Sequence, residues 1–259
     1  MGVLKTDEWL KKYLNSPLLI CSKLKKLFNE DSPQRVYQYL SRNGMYKYSS
    51  RSEYDFKLLM KNRVWEKVEG YYKHYKKLWN GPEIPILIFP HTSQGFFSSK
   101  GRKSGLAFKD KMFLFYTPGL SDKELEAVFV HEYHHVCRLN FLKKDINQFT
   151  LMDSIILEGL AEHAVLSYVG ERHLADWTRF YSAKEIKRIG NTLIKPHLEL
   201  KKNEELHDQI LYGLGRYPRM IGYAAGFHAV SHMKEKHLVT DRATFNKPSE
   251  TFLEGFFEE

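Results

Sequence analysis

The run VFVHEYHHVCR, residues 128–138, sets His131, Glu132 and His135 in the order His-Glu-x-x-His. On a helix, residues four apart stack on adjacent turns of one face, so the two imidazoles converge on one point with the carboxylate beside them. Two histidines so spaced can hold one zinc ion, Zn2+, and the glutamate between them is placed to act as general base on a zinc-activated water. His134, three residues after His131, offers an alternative second imidazole. The 131/135 pair is preferred because it leaves Glu132 in the position of the base, and His134 is then expected to be a partly exposed neighbour. Twelve histidines in 259 residues raise the frequency of such pentamers by chance, so the helix that carries this one decides its weight.

That helix is well marked. Ser121 followed by Glu124 forms a capping box, in which hydroxyl and carboxylate satisfy free N–H groups at the helix start. The spacing predicts a helix over about 122–141, with Leu125, Val128, Phe129, Val136 and Leu139 in one apolar stripe and Glu132 near its middle. A carboxylate without partners there would be costly, and a metal ion beside it makes the burial tolerable.

A catalytic zinc needs a third protein ligand and an open position. The segment DSIILEGLAEHAVLSYV, residues 153–169, predicts a second helix over about 152–169, with Glu158 and Glu162 four apart along the edge of its apolar face. Glu158 would ligate the metal. Glu162, one turn on, would accept the outer N–H of a ligating histidine and fix its tautomer. Gly159 and Ala161 are small enough to let this helix approach closely.

The remaining elements frame this pair. Residues 1–80 show helical spacing, with Trp9 and Tyr13, then Leu24, Leu27 and Phe28, then Phe56, Leu59, Val64, Val68 and Tyr72. Turn residues enclose a strand-length apolar run at 84–89. A Gly, Ser and Lys-rich stretch over about 94–105 reads as a flap, and 106–116 as a strand or hairpin along the cleft. Beyond 121 the pattern is mostly helical, ending with a helix over about 219–236. This is an α+β fold: a small β-sheet, a mostly helical C-terminal part and an N-terminal helical region. The expected division is 1–80, 81–240 and a C-terminal tail at 241–259.

Composition narrows the setting. The net charge is +9 and the isoelectric point about 9.3. The lysine pairs are spread along the chain, which predicts a solvated basic surface rather than a nucleic-acid site. No apolar run reaches membrane-spanning length, and two cysteines do not make a disulfide framework. A soluble cytoplasmic protein with two free thiols is expected.

The longer runs HEYHHVCR, DSIILEGLAEH and MIGYAAGF resemble the YjaZ-like bacterial family of predicted zinc-dependent proteases, and EGLAE is similar to the third-ligand helix of the gluzincin metallopeptidases. The resemblance covers roughly residues 85–235. It implies a zincin-like fold and a metallopeptidase acting on peptides or proteins, with His131, His135 and Glu158 as ligands, Glu132 as base and Glu162 behind a ligand. The downstream histidine segment of thermolysin has no counterpart here, so the oxyanion donor is sought in RYPRMIGYAAGFHAVSHM, residues 216–233. Tyr223 is the first candidate and His228 the second, beside a packing role for Tyr223 of at least equal weight. Arg138 is expected to orient Glu158 or Asp153, or to contact substrate. A different class of function stays open, that of a peptide-binding or regulatory protein that retains the site.

Overall fold

The computed structural model describes residues 1–92, 103–236 and 240–257. The expected flap falls largely on 93–102, outside the described residues, and its last three positions, Lys103 to Gly105, begin a strand. Six helices come first: α1 (Thr6–Tyr13), α2 (Pro17–Ser22), α3 (Lys25–Phe28), α4 (Pro33–Arg42), α5 (Ser50–Lys61) and α6 (Val64–Trp79). Strands β1 (Ile86–Pro90), β2 (Lys103–Ala107) and β3 (Met112–Tyr116) follow, then α7 (Asp122–Phe141), α8 (Leu151–Tyr168), α9 (Ala183–Leu193), α10 (Glu205–Tyr212), α11 (Ile221–Lys236) and α12 (Asp241–Thr244). The chain divides into two compact units, Met1–Val136 and Cys137–Glu259. Among the described residues no helix is long and apolar enough to cross a membrane.

In the first unit the sheet order is β1-β3-β2, with β1 parallel to β3 and β2 antiparallel to it. Every residue of β1 and β3 is buried, which explains their unbroken apolar runs, ILIFP and MFLFY. The antiparallel register pairs Gly105 with Leu114 and Lys103 with Tyr116. The side of the sheet carrying Tyr116 faces α7: the Tyr116 hydroxyl donates to the Leu125 carbonyl at 3.2 Å, and Lys103 Nζ to that of Glu124 at 3.4 Å. The opposite side packs on the N-terminal helices, where the Phe28 and Phe113 rings lie 5.3 Å apart.

The N-terminal residues are tied into this sheet. Leu4 N–H donates to Ile86 O and Ile86 N–H to Gly2 O, while Thr6 Oγ1 accepts from Trp65 Nε1 at 2.8 Å and donates to Ile88 O at 2.7 Å. An aromatic stripe on α6 receives α7: Tyr75 Oη donates to Glu126 at 2.8 Å, and Trp79 stacks on Tyr133 at 6.0 Å. The capping box of α7 forms, with Ser121 N–H donating to Glu124 Oε2 at 2.8 Å and Glu124 N–H to Ser121 Oγ at 3.2 Å. The first cysteine, Cys21, is a free thiol that burial pushes up to about 12, and Cys137 is buried as well.

In the second unit α8 and α11 cross at glycines. A methyl on Gly159 would lie 2.2 Å from the Gly226 carbonyl oxygen, and one on Gly226 would lie 2.0 Å from that of Ile155. The C-terminal residues that read as a tail contribute Phe252, Phe256 and Phe257 to the apolar core around α8 and α11. Aromatic side chains dispersed over the last fifteen residues give no helical or strand period, so only the folded core shows where they bury.

Two buried histidines make stability acid-sensitive. Burial pushes His91 down to about 4 and His163 to about 3, from 6.5. Depressed imidazole values mean that the unfolded chain takes up these protons first. Their stabilising contribution is complete above pH 6.5 and is lost as the pH falls towards the folded values, about 2 kcal/mol each between pH 7 and 5. Urea unfolding at the two pH values should show this loss, and His163→Gln should remove about half of it.

Backbone contacts cannot yield as side chains do, so Gly159→Ala should lower stability by about 1–3 kcal/mol. Gly70→Ala in α6, with nothing within 4 Å of the added methyl, should raise it by about 0.5–1 kcal/mol. Paired thermal unfolding curves check the contrast.

Candidate metal centre

His131 and His135 lie on successive turns of α7, their rings 4.6 Å apart and edge to face at 83°. One nitrogen of each and one carboxylate oxygen of Glu158 lie within 4.8 Å of one another. Donors on a tetrahedral zinc with bonds of ~2.1 Å stand about 3.4 Å apart. The three are a group that could hold one ion. Two imidazoles and one carboxylate are the donor set of a catalytic zinc with a position left open. His135 is 7% exposed, while His131 and Glu158 are half-buried, which leaves the group reachable.

Glu132, half-buried, lies against β2: a methyl on Gly105 would come within 2.3 Å of its Cγ, 2.6 Å of its Cδ and 2.8 Å of Oε1. Its charge is also felt at Tyr116, whose hydroxyl is driven well above the usual phenol range, mostly by burial, then by Tyr71 and Glu132. A glycine inside a strand marks a close approach of other atoms, a signal that the reading of 94–105 as a flap passed over.

His134 is not a partly exposed neighbour. It is wholly buried, with Trp79 edge-on at 5.6 Å. The α6 aromatic stripe widens the buried face of α7 beyond the apolar stripe that periodicity alone marks out.

Arg138 is also wholly buried, which excludes contact with substrate. Its Nη1 donates to Thr244 O at 2.8 Å and its Nη2 to Ser249 Oγ at 3.1 Å, and Ser249 Oγ donates in turn to Asp153 Oδ1 at 2.7 Å. Arg138 thus reaches Asp153 through one hydroxyl and anchors the C-terminal segment. Burial pushes the guanidinium down to about 10, against the opposing pull of Asp153 and Glu250. Asp153 caps α8 by accepting from Thr150 N–H at 2.9 Å and pairs with Lys144 at 2.6 Å. Burial works against its charge, yet Lys144, Ser249 and Thr150 outweigh that and hold the carboxyl below its ordinary value.

Glu162 is buried and accepts a hydrogen bond from Ala175 N–H, which ties the segment after α8 to that helix. Tyr223 is half-buried between Trp177, 5.2 Å away, and Tyr212, 5.7 Å away. His228 Nε2 lies 2.9 Å from the Tyr181 carbonyl, which can only accept, so that nitrogen carries the proton. Burial holds its imidazole below the ordinary value. Five residues apart on α11, Tyr223 and His228 point about 140° apart.

One arrangement has no signature in the sequence. Ser154 Oγ lies 2.9 Å from His207 Nε2, and His207 Nδ1 2.8 Å from Asp208 Oδ1. That is the atom order of a serine-hydrolase triad, but His207 is wholly buried and Ser154 is 7% exposed, so the chain of bonds joins α8 to α10 and no substrate reaches the hydroxyl.

Purified protein should bind one zinc per chain. His131→Ala, His135→Ala and Glu158→Ala should each lose it, while His134→Phe, set against Trp79, should keep it. Metal analysis after dialysis reads the difference directly.

Comparison with known proteins agrees with this geometry. The chain is 35% identical over 226 residues to the Uncharacterized protein YjaZ of Bacillus subtilis (strain 168), covering 85% of each chain. It is 26% identical over 130 residues to the Uncharacterized protein YjfC of the same organism, covering 46% of this chain and 43% of the relative. No solved structure matches it. Residues 64–254, which take in α7, α8 and all three candidate ligands, match the family described as Predicted Zn-dependent protease (DUF2268), and the chain belongs to that family.

Proposed function

We propose that this protein is a zinc metallopeptidase that hydrolyses peptide bonds in peptide or protein substrates, with Glu132 as general base. The observation that carries this is the group on α7 and α8: two imidazoles one turn apart and, as the third group, one carboxylate with an oxygen within 4.8 Å of their nitrogens. Membership of a predicted Zn-dependent protease family supports it.

His131, His135 and Glu158 would hold a zinc ion, which when bound would supply a Lewis acid for a carbonyl and for water near neutral pH. Glu132, between the two histidines in sequence, receives a proton from the attacking water on its carboxylate and delivers it to the leaving amine nitrogen. Its position against Gly105 supports this role, because the half-buried carboxylate is confined beside a strand edge along which an extended chain can lie. Among the described residues β2 is an edge of the sheet, and an edge strand recognises a peptide through main-chain hydrogen bonds, with side chains alternating to either side. Among the oxyanion candidates Tyr223 is preferred to His228, whose Nε2 proton is already given to Tyr181 O. Glu162 stays the candidate for holding a ligating histidine in its tautomer.

Glu132→Gln keeps the shape of the side chain and removes the base. It should retain one zinc per chain and lose turnover by about 10²–10⁴-fold. A panel of unstructured proteins and fluorogenic peptides, assayed with zinc-loaded wild type and variant, makes the test. A variant as active as wild type would sink the assignment.

A further inference from the structure

We infer that Gly105 is a positioning residue: by lacking a side chain it leaves the volume that Glu132 occupies above β2, and so sets where the base carboxylate stands. The inference rests on the reading of Glu132 as the base, and the space itself is independent of that reading.

Strand alternation puts Lys103, Gly105 and Ala107 on one side of β2. The contacts of Lys103 and of its partner Tyr116 show that this side faces α7. Gly105 is the middle position of the three, and a methyl there would meet Glu132. Its backbone is not in the left-handed region, so no turn or strain requires glycine there. Glycine weakens a strand interior, and the space it frees offsets that. An added methyl would overlap Glu132 at Cγ, at the carboxylate carbon Cδ and at Oε1, so the whole outer half of the side chain would have to move. Either the glutamate leaves its place or β2 moves away from α7.

The register that brings glycine to this position is held independently. Phe108 N–H donates to Lys111 O at 2.9 Å across the hairpin turn. The Lys111 ammonium lies 4.6 Å from the Phe108 ring centre and 5.6 Å from that of Phe28, and pairs with Asp110 at 2.9 Å. A slip of one residue would put Ser104 or Leu106 on Glu132 and turn the whole strand over.

The test compares wild type, Gly105→Ala, Glu132→Ala and the double variant, all as full chains loaded with zinc. Gly105→Ala should keep one zinc per chain and a KM within about threefold of wild type, with kcat lowered by about 10²-fold, the scale expected when a catalytic group is displaced by an ångström. Its crystal structure should show the Glu132 carboxylate rotated away while His131, His135 and Glu158 stay in place. Any fall in Tm, roughly 2–8 °C for overpacking in a chain of this size, should vanish in the Glu132→Ala background. Turnover within twofold of wild type, a Glu132 that has not moved, or a Tm loss that persists without the Glu132 side chain would overturn the inference. If Gly105→Ala fails to fold, folding of the double variant supports the inference and its failure refutes it. If zinc-loaded wild type cleaves no peptide, the proposed function fails alone, and the Glu132 position and the Tm comparison still decide the role of Gly105.

Discussion

Imidazoles, a carboxylate and a guanidinium cannot be carried into the buried face of a helix unless something holds their charges and protons, and α7 meets that constraint differently on successive turns. His131 and His135 face a carboxylate of α8. Glu132 stands in space left by a glycine of β2. His134 turns inward against Trp79. Arg138 is satisfied by a C-terminal carbonyl, by Ser249 and, through it, by Asp153. Each solution draws on a different part of the chain.

The supporting elements are rigid where position matters. The α6 aromatic stripe and the buried strands β1 and β3 leave α7 little freedom in the first unit, and the hairpin lock at Lys111 fixes the register of β2. In the second unit the crossing of α8 and α11 brings backbone against backbone at Gly159 and Gly226, the closest approach two helices can make. The apolar core built on that crossing holds Ile155, Ile156 and Leu160 of α8, which flank Glu158 in sequence. The candidate ligand Glu158 is thus carried on a helix whose own packing constrains it.

Much of this was legible from local pattern. The capping box marked the start of α7, the four-residue spacing announced the imidazole pair, and the apolar run at 84–89 read as strand-length, unbroken because both faces of β1 are covered. Glu158 was legible through the combination of helical spacing and family resemblance. What escaped depended on contacts distant in sequence. His134 looked like a surface residue because Trp79, 55 positions earlier, is invisible to a periodicity argument. Arg138 looked free to meet substrate because its partners Thr244 and Ser249 lie more than a hundred residues on. Gly105 sat within a Gly and Lys-rich stretch that read as a flap, and its strand register came from pairing with β3.

The central claim is that one zinc ion sits on α7 and α8 with Glu132 left off the metal as base. Anomalous diffraction at the zinc absorption edge from crystals of zinc-loaded protein tests it most directly. A single peak is expected about 2.0–2.2 Å from one nitrogen each of His131 and His135 and one oxygen of Glu158, with the Glu132 carboxylate outside bonding distance. A peak ligated by His134 or by Glu132, or no ordered zinc at these residues, would contradict it.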